Sequence, residues 1–99
     1  MARPREQLEV LFSALDVAYR AKDGACEAFD VAMLQSTAEE VFKDHADPVF
    51  RAINTFATDF DLWRRDVVKL AEIGEALRHA VELALMPVPP DAGRADIHG

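Results

Sequence analysis

From Val49 onward, apolar residues recur at alternating steps of four and three: Val49, Ile53, Phe56, Phe60, Trp63, Val67, Leu70, Gly74, Leu77, Val81 and Ala84. This alternation is a heptad a/d register, a helical pattern. The flanking e and g positions are often apolar as well, as at Phe50, Ala52, Ala57, Ala71, Ile73, Ala80 and Leu85. A two-stranded coiled coil would place charges there, so the width of the face predicts the core of a bundle of three or four helices. Thr58-Asp59-Phe60-Asp61 carries capping residues at which this helix could break. The uninterrupted heptad phase instead favours one helix over residues 48–86, ended by Met86-Pro87-Val88-Pro89-Pro90.

Earlier in the chain the pattern is shorter. Pro4 suits the first position of a helix, where a missing N–H costs nothing. Leu8, Leu11, Phe12, Leu15, Ala18 and Tyr19 then share one face and predict a helix over 5–22. A second pattern runs over 25–44. Cys26, Phe29 and Met33 continue the first face, and Leu34, Ala38, Val41 and Phe42 shift it sideways. Asp23-Gly24 between them favours a break, because glycine takes the left-handed conformation cheaply. Asp47-Pro48 is the clearest boundary: aspartate can cap the next helix and proline can open it. The expected fold is all-α, a helical hairpin or up-down bundle of three to four helices. Residues 1–86 would form one domain, completed by dimerisation, and 87–99 a flexible tail containing Pro and Gly.

Charge narrows the function classes. The formal net charge is −7, and most of it lies in residues 23–47, where Asp23, Glu27, Asp30, Glu39, Glu40, Asp44 and Asp47 face only Lys43. Nucleic-acid binding needs clustered Lys and Arg, and none is present. Membrane-surface binding is not expected either, because the polar faces are not basic. No apolar run approaches the ~18 residues of a membrane span. Arg3 and Arg5 are followed by mixed charges and apolar residues rather than by the apolar run of a signal peptide. The single cysteine, Cys26, allows no internal disulfide and fits a reducing, cytoplasmic setting.

Candidate chemistry is sparse. Cys26 lies on an apolar face with no histidine within helical reach, so it reads as a small buried hydrophobe. Ser13 and Ser36 lack a nucleophile-elbow context, and the glycines are isolated. Carboxylate-bridged metal bundles use Glu-x-x-His pairs, which this chain lacks. Glu75 and His79 fall at outer heptad positions. Glu40, Asp44, His45 and Asp47 cluster at the midpoint turn, where capping explains them more simply than a weak cation site. No catalytic residue, cofactor or metal is therefore expected. Trp63 reads as a core anchor or an interface hot spot, and Gly74 as a point of close helix approach. Arg64, at an e position, could pair across helices with an acid of residues 23–47.

These features leave three function classes. The first is a non-catalytic interaction or adaptor protein that buries its apolar seam against itself, as a dimer, or against a protein partner. The second is a regulator or inhibitor, antitoxin-like, that sets Glu39, Glu40 and Asp44 against a basic partner. The third is a small helical metal-binding protein whose acids and histidines assemble only in an oligomer. In its length, midpoint turn and two long helices, the layout also resembles the WXG100 secreted hairpins, which implies a secreted helical hairpin. The family's Trp-x-Gly is absent from the turn, which reads Asp44-His45-Ala46-Asp47-Pro48, and the tail has no tyrosine for a Tyr-x-x-x-Asp/Glu motif.

Overall fold

Turn chemistry divides the chain into four helices. The computed structural model describes residues 3–86, and the expected tail over 87–99 lies outside them. Among the described residues the elements are α1 (Arg5–Lys22), α2 (Ala28–Val41), α3 (Pro48–Trp63) and α4 (Val67–Leu85), with no strand. The short connections make chain neighbours antiparallel. Each helix packs on its two neighbours, and α1 closes the ring against α4 in the most extensive interface. The fold is an all-α up-down bundle.

Each boundary has a local cause. Gly24 adopts φ +73°, which ends α1. The Ala25 N–H donates to the Arg20 carbonyl and the Gly24 N–H to the Ala21 carbonyl, a Schellman pair. The break expected at Gly24 is thus present. α2 is shorter than the 25–44 pattern because the Asp30 carboxylate accepts from the Glu27 N–H at 3.2 Å and starts the helix there. Asp47 caps α3, accepting from the Val49 N–H at 2.8 Å, with Pro48 in the first position.

Residues 48–86 do not form one helix. The chain turns at Arg64-Arg65-Asp66, beyond the capping residues at 58–61. Asp66 caps α4 by accepting from the Lys69 N–H at 3.1 Å. The heptad phase runs through the turn because periodicity reports which face of each helix is apolar, not whether the axis is continuous. Phe60 and Leu70 both face the core across the turn. Trp63 and Val67, on the seam between them, reach the bundle's tip and are 38% and 67% exposed. Trp63 is therefore no core anchor. The two-long-helix layout shared with the WXG100 hairpins is absent as well.

The buried face of α1 is also rotated from the one expected. Val10, Leu11, Ala14, Val17, Ala18 and Ala21 point inward, while Phe12 and Tyr19 are exposed. The cause lies on α4. Gly74 backs onto Ala18 and Ala21, and an approach this close needs small residues on both helices. Counting large apolar residues selects the wrong stripe.

Asp47 also ties the chain's first described residues to its midpoint. Its carboxylate receives Arg3 at 2.8 Å, and the Arg3 guanidinium lies 6.0 Å from the Phe42 ring centroid. Burial alone would raise the Asp47 carboxyl, but the bonds from Arg3 and the Val49 N–H outweigh it and hold it below its ordinary value. Asp47→Ala should cost about 1–2 kcal/mol at neutral pH. The native contribution is complete above the unfolded carboxyl value of about 3.9 and fades as pH falls through the lower folded value. Urea titrations of both proteins between about pH 7 and pH 2 should therefore converge on acidification. A constant gap would show that the carboxylate's charge plays no part.

Candidate interaction surface

The seam residues lie mainly inside this bundle. Val49, Ile53, Phe56, Phe60, Leu70, Leu77 and Val81 are buried, Gly74 is buried against α1, and Ala84 is half-buried. No polar or charged residue is buried among those described. The surplus apolar surface lies elsewhere, in side chains that the seam did not mark.

The main surplus lines an open groove between α1 and α2, of about 480 Å³. Val10, Val17 and Leu34 form its floor, where they also belong to the core. Phe12 from α1 and Phe29 and Met33 from α2 form its walls, at 59%, 71% and 54% exposure. Its polar lining includes Ser13, Thr37 and a charged clasp, in which Arg20 lies 3.1 Å from Asp16 and 3.4 Å from Asp30. An apolar floor with aromatic and methionine walls inside a polar rim suits a protein side chain more than a reacting substrate. Periodicity could have found Phe29 and Met33, which step by four along α2, but it assigned them to the core.

A second apolar cluster caps the α3–α4 turn. Leu62, Trp63, Val67 and Val68 are exposed there, beside Arg64 and Arg65. The Lys69 ammonium lies 5.3 Å from the centroid of the Trp63 ring. Arg64 pairs with Asp61 of its own helix at 3.8 Å, not with an acid of residues 23–47.

The remaining candidates serve local structure. Glu39 and Glu40 are exposed in the last turn of α2, which holds no base. Asp44 is not grouped with them as a free charge, since it accepts from the Ala46 N–H at 2.9 Å and shapes the turn. His45 stacks on Phe50 at 4.5 Å between centroids, and Asp47 caps α3. Glu75 turns toward Arg78 and Lys22, not His79. The Arg78 hydrogen bonds hold its carboxyl below the ordinary range. Among the described residues, no three His, Cys, Asp or Glu side chains are grouped to hold a metal ion. Burial first, and then the nearby Asp30, push the Cys26 thiol up to about 11, which keeps it protonated and poorly nucleophilic at neutral pH. No described helix is long and apolar enough to cross a membrane.

No protein-family model matches this sequence, and no curated protein or solved structure does either.

Proposed function

We propose that this chain is a non-catalytic helical interaction protein whose binding surface is the open α1–α2 face. One observation carries the reading. The four helices already bury most of the heptad seam, yet Phe12, Phe29 and Met33 stand in solvent around a groove with a core floor. Exposed apolar clusters of this kind mark binding surfaces. A lone cysteine, with no second one for an internal disulfide, fits a cytoplasmic setting.

Photo-crosslinking in the source cells tests the reading. An aryl-ketone phenylalanine replaces Phe12 or Phe29, and the exposed Thr58 of α3 serves as the control position. The expected result is a discrete adduct from positions 12 and 29 that Met33→Asp removes. Adducts no stronger than those from position 58 would refute it.

A second reading rests on Glu39 and Glu40. Acids in the last turn oppose the helix dipole, and neither has an ion-pair partner among the described residues. A basic partner would relieve that cost, as for a regulator or inhibitor. Its binding would weaken steeply with salt and fail on reversal of these two charges. Asp44 is a poor site for that test because reversing it also disturbs the turn.

A further inference from the structure

We infer that the α1–α2 face is occupied by a second copy of this chain, in a twofold pairing that sets Phe12 of each copy into the groove of the other. The inference rests on the interaction reading above and names its partner.

The outer side of α1 supplies the first argument. Leu8, Phe12, Leu15 and Tyr19 succeed one another at steps of four, three and four, a second heptad stripe beside the one facing the core. The bundle half-covers Leu8 and Leu15 and leaves Phe12 and Tyr19 exposed. Leu15 already packs against the core and the Tyr19 hydroxyl donates to the Glu82 carboxylate of α4 at 3.4 Å, so Phe12 is the member of the stripe that stands over the groove.

Shape supplies the second. Phe12 is a ridge on the rim of the groove, so ridge and groove share one face. A twofold axis beside Phe12 satisfies both at once, which is the self-complementarity of an isologous contact. A foreign partner would have to supply both a ridge for this groove and a groove for this ridge.

Area supplies the third. Phe12, Phe29 and Met33 each expose more than half of their surface around the groove. At about 200 Å² per side chain of this size, the three offer on the order of 350 Å² of apolar surface per copy. A standard interface covers about 800 Å² per partner, a little over half of it apolar. These three side chains therefore supply most of the apolar area that a standard dimer contact covers. The α3–α4 tip is less suited to a twofold contact, which would bring Arg64 and Arg65 against their own copies.

Charge then gives the pairing a signature. Each copy carries −7, so the two repel and the contact is driven by apolar burial. Self-association should tighten as salt screens that repulsion, opposite to the behaviour of a basic partner. Sedimentation equilibrium of the purified full chain at low and high salt reads this directly. A dimer is expected, with a smaller Kd at higher salt. Phe12→Asp should raise Kd by about 30-fold or more, the effect of a hot-spot residue. Phe12→Ser should weaken it in the same direction, and Val68→Asp at the tip should leave it unchanged. Circular dichroism of each variant confirms the fold.

A folded chain that stays monomeric at high concentration would overturn the inference. So would a dimer broken by Val68→Asp but not by Phe12→Asp, or one that weakens with salt. If the purified chain is monomeric while position 12 crosslinks to a different protein in cells, the second copy is wrong and the interaction reading stands. If neither association nor crosslink is found, both fall.

Discussion

Gly74→Val is expected to force α1 away from α4 and to destabilise the fold strongly. A Cβ at position 74 would lie 2.8 Å from the Ala18 carbonyl oxygen and 3.1 Å from the Ala21 Cβ. The third neighbour, Lys22 Cγ at 3.3 Å, belongs to a flexible side chain and can move aside. The carbonyl oxygen cannot, because it is part of the α1 backbone. Alanine tests the first methyl alone. It should gain about 0.5–1 kcal/mol of helix propensity over glycine. The overpacking it causes costs about 1–3 kcal/mol, so Gly74→Ala should still be a net loss. Valine adds two further methyl groups at the same crossing, in the largest interface of the bundle, and its loss should be about 3 kcal/mol or more. Urea denaturation of the three proteins checks the order glycine, alanine, valine. An alanine variant as stable as the parent would mean that α1 and α4 do not approach this closely.

This glycine also shows how much of the fold was legible in the sequence. Its place on the seam marked a close approach, and Asp23-Gly24 and Asp47-Pro48 marked two of the three turns, because backbone conformation restricts which residues serve there. The third turn was hidden. Trp63 and Val67 are four apart, so the apolar phase passes from α3 to α4 unchanged. The visible trace was Arg64-Arg65-Asp66, a run of consecutive charges within an otherwise apolar seam, with Asp66 placed to cap α4. The proposed interaction surface was harder to read for a related reason. Phe12, Phe29 and Met33 have helical spacing and therefore resemble core. Which stripe of α1 turns inward depends on the separation of α1 and α4, which Gly74 sets from elsewhere in the chain. Side-chain size alone points to the stripe that the bundle leaves outside.

Leu77→Asp and Phe12→Asp place the same charge on the two kinds of apolar stripe and should behave in opposite ways. Leu77 is 2% exposed and Phe12 is 59% exposed. Truncating a buried leucine costs about 2–5 kcal/mol through lost transfer energy and the cavity left behind. A carboxylate at that point adds a desolvation cost of several kcal/mol, with no buried base among the described residues to offset it. Together these match or exceed the whole stability of about 5–15 kcal/mol that a small domain has. Leu77→Asp should therefore be unfolded at room temperature by circular dichroism and lack a cooperative urea transition. Phe12→Asp puts its carboxylate in water, where the solvation cost does not arise. It should keep the helical spectrum and lose only the association of copies. The pair would separate residues that hold the monomer together from those proposed to join it to another chain, although both are apolar and both sit at heptad spacing. A folded Leu77→Asp protein would overturn the packing of α4 against its neighbours. An unfolded Phe12→Asp protein would place the outer stripe of α1 in the core after all.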